Sequence, residues 1–195
     1  MLVTAVEDLN IYDYAIIDNF LSEHACASLI EKITSLEAMQ AFKRAKIGKK
    51  SQEIQEDSIR GDSIHWLDED TEHLGISAYF DAIRQLVTHL NQSLYLGIQT
   101  FETHAAIYPP GTFYKKHIDQ FKNTGTRRVS CVFYLNSDWS KHDGGELKLY
   151  TPEDEPLATI TPSYNRLAIF LSHIPHEVLT THKTRYSITG WLKIA

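Results

Sequence analysis

Residues 107–119 read IYPPGTFYKKHID. A strand-like segment, Phe101 to Tyr108, breaks at Pro109-Pro110-Gly111, and the chain then resumes an extended course that carries His117 and Asp119 two positions apart. Successive side chains of an extended segment point to opposite sides, so His117 and Asp119 share a face while Ile118 turns away. In a chain with ten histidines, about 0.6 His-x-Asp pairs arise by chance. The pair therefore takes its meaning from the strand and turn before it and from the β-rich segments after it.

Those segments continue to the C-terminus, at 98–108, 128–135, 145–150, 157–160, 167–171, 176–180 and 185–193. Asn123-Thr124-Gly125, Asp143-Gly144-Gly145 and Thr161-Pro162-Ser163 supply further breaks, and short strands with this spacing of turns predict a sandwich or jelly roll. Upstream the pattern is helical. Ser22 is an N-cap for a helix to Met39, with Ala25, Leu29, Ile33 and Leu36 on one face. A longer helix places Ile76, Phe80, Ile83, Val87, Leu90 and Leu94 at threes and fours, with Gly97 where a left-handed cap is expected. Between the helices, residues 42–57 crowd Lys43, Arg44, Lys46, Lys49 and Lys50 ahead of Glu53, Glu56 and Asp57. Such a stretch is a solvated face or, on the sharper reading, a lid that touches a substrate.

At 195 residues and 43% hydrophobic content, the chain suits one domain. A net charge of −6 and a pI near 5.9 argue against a protein that tracks nucleic acid, which needs clustered positive charge. Cys26 and Cys131 do not make a disulfide framework and read as buried reduced thiols. Glu7, Asp8 and Asp13 near the start leave no pattern for a signal peptide or membrane span, so no membrane partner and a cytoplasmic location are expected.

Two imidazoles and one carboxylate on one face of an octahedral ion leave adjacent positions open, as non-haem Fe(II) oxygenases require. His173, His176 and His182 are the candidates for the third ligand, and of these His176 follows a proline turn and leads into Val178-Leu179. His173 and His182 read as surface residues. In the last strand the two-residue period groups Arg185, Ser187, Thr189 and Trp191. An inward guanidinium must be paired, either by a structural salt bridge or by a dicarboxylate held through charge-assisted bonds. The same parity groups Ser130, Val132 and Tyr134, so that the Tyr134 phenol either shares that carboxylate or only packs. Tyr108 and Tyr114 line the mouth of a pocket or cap the sheet.

Beyond the triad, the segments IYPPGTFYKKHID, RRVSCVFYLNSDWSKHDGGELKLY, NRLAIFLSHIPHEVLTTHKTRYSITGW and SIRGDSIHW occur in an order that resembles the 2-oxoglutarate and Fe(II)-dependent prolyl 4-hydroxylases, specifically bacterial proteins similar to the hypoxia-inducible-factor prolyl hydroxylases. The resemblance spans most of the chain. It implies iron ligands at His117, Asp119 and His176, a cosubstrate-binding Arg185 assisted by Tyr134, and pocket positions at Tyr108, Val132, Leu147 and Trp191. It also implies protein-substrate contacts at Arg60, Asp62, Tyr114 and Arg127, with Asp62 paired to Arg127 by analogy. Fe(II), 2-oxoglutarate and O2 are the implied cofactor and cosubstrates, with ascorbate as accessory reductant. Residues 120–126, Glu146 and Gly190 depart from the animal enzymes, and these departures bear on the substrate rather than on the metal chemistry.

The reading is thus a mainly β protein with flanking α: a double-stranded β-helix, jelly-roll and cupin-like, with N-terminal helices packed on one sheet. Residues 1–97 form a helical and lid-loop support and 98–195 the catalytic core. The expected reaction is hydroxylation of a prolyl residue in a protein substrate, with release of succinate and CO2; by the same resemblance the substrate is a translation factor such as elongation factor Tu. Because Asp119 fills the third ligand position, a halogenase is disfavoured. A hydroxylase of a free amino acid or other small molecule is the enzymatic alternative, and a jelly-roll binding module the non-enzymatic one.

Overall fold

The computed structural model describes residues 1–45, 56, 58–69, 71–120 and 125–195. Its elements, in chain order, are α1 (Leu2–Tyr12), β1 (Tyr14–Asp18), α2 (Glu23–Ala38), β2 (Lys43–Arg44), β3 (Ser63–Trp66), α3 (Leu74–Leu94), β4 (Thr100–Tyr108), β5 (Tyr114–His117), β6 (Arg127–Tyr134), β7 (Leu147–Tyr150), β8 (Pro156–Ile160), β9 (Arg166–Leu171), β10 (His176–Val178) and β11 (Arg185–Lys193). The strands build a seven-stranded sheet, ordered β1-β9-β6-β11-β4-β3-β2, and a four-stranded sheet, ordered β5-β10-β7-β8. All registered neighbours are antiparallel. The two sheets form the expected double-stranded β-helix.

Alternation along the strands divides the large sheet into two faces with different tasks. Val129, Cys131 and Phe133 of β6, Leu167 and Ile169 of β9, and Ile188 and Leu192 of β11 join the core made by the helices. Each is flanked by residues with the opposite parity: Val132, Tyr134, Ala168 and Phe170 pack against Leu147, Leu149 and Ile160 of the small sheet. All three helices lie on the first face. In α2, Ala25, Cys26, Leu29 and Ile33 are buried; in α3, Ile76, Tyr79, Phe80, Ile83, Leu86 and Leu90 are. The Ser22 hydroxyl caps α2, accepting from the Ala25 N–H at 3.3 Å, a contact of a kind that stabilises by about 1 kcal/mol.

Several expectations are corrected. The left-handed cap of α3 falls at Tyr95 (φ 53°), whose N–H bonds to the Asn91 carbonyl, and not at Gly97. Asn91 then closes the turn through its side chain, which both donates to and accepts from the backbone of Ile98. α1 and β1 were not read from the sequence, and neither were β2 and β3, which extend the large sheet beyond β4. Of the stretch 42–57, Lys43 and Arg44 are strand residues, while Lys46, Lys49, Lys50, Glu53 and Asp57 lie outside the described residues, and with them most of the lid reading. Cys26 and Cys131 are free and buried, as expected. No helix among the described residues is long and apolar enough to cross a membrane.

Candidate metal centre and cosubstrate pocket

β5 and β10 are adjacent in the small sheet, and their register places His176 directly opposite His117. Asp119 lies just beyond β5. Ile118 between them is 51% exposed, as the alternation predicts. One donor atom from each of His117, Asp119 and His176 falls within 4.8 Å of the others. The His117 Nε2 is 3.5 Å from one carboxylate oxygen of Asp119, and the His176 Nε2 is 3.4 Å from the other.

The tautomers of both rings are fixed by the backbone. His117 Nδ1 lies 2.8 Å from the Lys115 carbonyl and His176 Nδ1 lies 2.9 Å from the Ile174 carbonyl. A carbonyl only accepts, so each Nδ1 carries a proton, and a neutral ring then turns the lone pair of its Nε2 toward Asp119. Burial pushes the His176 imidazole down to about 4, against the pull of Asp119, so this ring is neutral near pH 7. Asp119 is buried too, which by itself raises its pKa, yet its carboxyl is held well below the usual range and is ionised, with the Ser130 hydroxyl donating to it. Lone pairs from neutral imidazole and carboxylate oxygens facing one another call for a cation between them. Adjacent donors on one ion with bonds of about 2.1 Å sit about 3 Å apart, so the set fits a divalent metal after a small contraction.

Supporting groups hold the triad. The Ser130 hydroxyl donates to Asp119 at 2.7 Å and is 3.0 Å from the Ser172 hydroxyl. Arg127 reaches the Asp119 carbonyl at 3.3 Å, and the Gln120 N–H bonds to the Ser172 carbonyl at 2.9 Å. Phe170 meets His176 edge-on, with ring centroids 4.6 Å apart. Ser130 was legible as an inward position beside Val132, but its bond to Asp119 depends on a long-range approach that spacing does not reveal.

Elsewhere in the interior, Arg185 is 99% buried and its guanidinium lies between two phenol rings, 4.9 Å from the centre of Tyr108 and 5.0 Å from that of Tyr134. Its Nε donates to the Gly145 carbonyl at 2.9 Å and Nη1 to the Ser187 hydroxyl at 3.1 Å. No carboxylate among the described residues lies within ion-pair distance, which argues against the structural salt bridge considered from sequence. Nη2 and the Tyr134 hydroxyl have no hydrogen-bond partner among the described residues. A buried guanidinium N–H and a phenol left in this way fit an incoming carboxylate. Val132 and Leu147 are buried in the same interior cluster and offer apolar walls.

Trp191 stands toward the metal end, where it pairs with Ser130 across β11 and β6. The Arg127 guanidinium lies 3.7 Å over its ring, and His104 packs beside it at 5.4 Å. The proposed Asp62–Arg127 pair is not made. Asp62 is held by Arg60 at 2.8 and 2.6 Å, whereas Arg127 takes Glu102 at 2.6 Å and is stacked on Trp191. Arg60 and Asp62 do converge with Tyr114: the Arg60 guanidinium is 4.3 Å from the Tyr114 ring, which stacks on His117 at 3.7 Å. Beside His117 a cleft of about 660 Å³ opens, lined by Lys116, Ile118, Gln120, Asp154, His173 and Pro175.

The 2OG-Fe(II) oxygenase superfamily model matches residues 103–193, which include the triad and Arg185. Human prolyl hydroxylase EGLN3 is 30% identical over 185 residues, covering 91% of this chain and 77% of that protein. A crystal structure of a Pseudomonas putida prolyl-4-hydroxylase superposes with a TM-score of 0.89 at 34% identity, covering all of both chains. A prolyl hydroxylase from Trichoplax adhaerens, solved with a fragment of the hypoxia inducible factor oxygen degradation domain, gives 0.89 at 29% identity over 98% of this chain and 88% of that one. The superfamily uses Fe(II), 2-oxoglutarate and O2, the chemistry that the paired imidazoles, the carboxylate and the buried guanidinium fit. This chain belongs to the prolyl hydroxylases of the 2OG-Fe(II) oxygenase superfamily and is an enzyme.

Proposed function

We propose that the enzyme hydroxylates a prolyl residue of a protein substrate, with His117, Asp119 and His176 holding Fe(II) and Arg185 holding the distal carboxylate of 2-oxoglutarate. The observation that carries this reading is the pairing, in one interior, of a two-histidine, one-carboxylate donor set with a buried, incompletely satisfied guanidinium. Bound Fe(II) with 2-oxoglutarate supplies the activation of O2 that inserts one oxygen at prolyl C4, leaving succinate and CO2.

The chain's own residues supply binding, orientation and shielding. Asp119 contributes the anionic ligand, and Ser130 fixes the direction of its carboxylate. Arg185 and Tyr134 would donate to the far carboxylate of 2-oxoglutarate, and Val132 and Leu147, buried beside Tyr134, would give its pocket apolar walls that exclude water. Tyr108 stacks on the anchoring guanidinium, and Trp191 walls the metal end. At the mouth, Arg60 and Tyr114 receive the substrate backbone, with the buried Asp62 aiming the Arg60 guanidinium, and Arg127 braces the wall behind Asp119. The whole chain acts as one catalytic domain in the cytoplasm, with 1–97 as support and 98–195 as the reacting core, and a translation factor of the elongation factor Tu kind is its substrate. The relative bound to a hypoxia inducible factor fragment supports a protein substrate.

The test combines purified enzyme, Fe(II), ascorbate and 2-oxoglutarate with host lysate, and separately with elongation factor Tu, followed by a peptide search for one added oxygen on proline. Asp119→Ala is expected to abolish the modification, and Arg185→Ala to raise the 2-oxoglutarate needed for it. Full turnover in Asp119→Ala would end the triad assignment. Succinate formed on a free amino acid, without any modified peptide, would move the substrate to the small-molecule class.

A further inference from the structure

We propose that Trp139 is a positioning residue for the 2-oxoglutarate anchor, acting through the Gly144–Gly145 pair. The inference rests on the reading of Arg185 as that anchor. Gly144 and Gly145 have φ of 66° and 70°, so neither position suits a side chain, and a Cβ on Gly144 would stand 2.2 Å from the Thr180 carbonyl oxygen. Two successive left-handed glycines give this turn its soft dihedrals. A specific orientation of the peptide between them must therefore come from hydrogen bonds.

That peptide is held at both ends. Its oxygen, from Gly144, accepts the Trp139 indole N–H at 2.9 Å, and its N–H, from Gly145, donates to the Thr180 carbonyl at 3.1 Å. Because the peptide unit is planar, the two bonds together set its tilt. Only the φ and ψ of Gly145 then separate this fixed plane from the next carbonyl, which accepts the Arg185 Nε at 2.9 Å. Gly145 also packs against the anchor itself, where a Cβ would lie 3.1 Å from the Arg185 Cδ.

The indole has open space on one side. It borders a cavity of about 200 Å³ that is also lined by Ile30, Ile33 and Leu135, and the Lys183 ammonium sits 5.7 Å from the ring. With open space on one side, the N–H bond to Gly144 is the directional hold on Trp139, and equally the hold of Trp139 on the glycine pair. No other side chain among the described residues donates to that oxygen.

The experiment measures 2-oxoglutarate binding to Mn(II)-loaded enzyme by calorimetry, alongside steady-state kinetics and melting temperature. Trp139→Phe keeps a ring and deletes the N–H. It should weaken 2-oxoglutarate binding and raise its KM about fivefold, the equivalent of about 1 kcal/mol for one neutral hydrogen bond. The kcat at saturating 2-oxoglutarate, the KM for the prolyl substrate and the melting temperature should stay as in the wild type. Lys183→Ala, which alters the ring's other neighbour, should leave 2-oxoglutarate affinity unchanged. Wild-type affinity in Trp139→Phe, or a fall in kcat and melting temperature together with a rise in the prolyl KM, would overturn the positioning role. Arg185→Lys separates the two claims: if it loses affinity while Trp139→Phe does not, only Trp139 falls, whereas wild-type affinity in Arg185→Lys removes the anchor reading and this inference with it.

Discussion

Ser130 shows how much a single hydroxyl decides at the metal end. Its proton goes to Asp119, and its oxygen faces the Ser172 hydroxyl, so the serine pair fixes one carboxylate oxygen while the other stays toward His117. Outer hydrogen bonds of this kind typically affect metal affinity by about 10- to 100-fold. Ser130→Ala is therefore expected to weaken Fe(II) or Mn(II) binding by at least about tenfold, with little change in 2-oxoglutarate affinity once metal saturates, as metal titration followed by calorimetry would measure. Wild-type metal affinity in that variant would show that Asp119 is aimed by the β5–β6 backbone alone. At this scale the sequence was partly legible. The His117–Asp119 spacing and the inward parity of Arg185 follow from alternation, and the choice of His176 over His173 and His182 from the proline turn before it and the apolar pair after it. The Arg60–Asp62 and Arg127–Glu102 pairs do not, because each choice depends on which strand edge lies opposite, and β3 was not visible as a strand.

Among elements, α2 and α3 come into close backbone approach at Gly75. A Cβ at Gly75 would lie 2.4 Å from the Leu29 N and 2.7 Å from its Cα, so the first turn of α3 rests against the backbone of α2. Gly75→Ala must push the helices apart, and overpacking of this kind commonly costs about 1–3 kcal/mol. A melting temperature lower by roughly 3–10 °C is the expected outcome, with the Mn(II) and 2-oxoglutarate affinities of the folded protein retained, since the triad lies across the large sheet. The helices themselves were readable because Leu29, Ile33, Ile76 and Ile83 recur at helical spacing. α1 escaped because Glu7 and Asp8 interrupt what is nonetheless a face of Ala5, Val6 and Leu9. β3 escaped because its four residues, Ser63–Trp66, are too few for alternation to register; pairing with β4 makes them a strand.

For the molecule as a whole, acid is expected to act through histidines buried without charge. His104 on β4 is 97% buried, and its Nδ1 has no partner among the described residues. Burial pushes its imidazole down to about 4; Asp62 and Asp119 oppose that shift and Arg60 and Arg127 add to it. The unfolded chain therefore takes up this proton first, at about 6.5. The contribution of neutral His104 is present above pH 6.5 and is lost as the pH falls toward 4, at up to about 1.4 kcal/mol per pH unit. His104→Gln should flatten that limb of a denaturation series run from pH 7 to pH 4, and an unchanged slope would mean that the ring already takes up its proton in the folded state. The division of the large sheet also has a bearing on self-damage. Cys131 sits between Ser130 and Val132, yet its sulfur is directed among the helices, and burial raises its thiol to about 12; Cys26 is shut away on that side as well. A strand one residue out of phase would have hung a thiol beside a centre built to handle dioxygen. As folded, the sheet is a bulkhead, and misfired oxidising equivalents would scar Tyr108, Tyr114 or Trp191 long before they reached either sulfur.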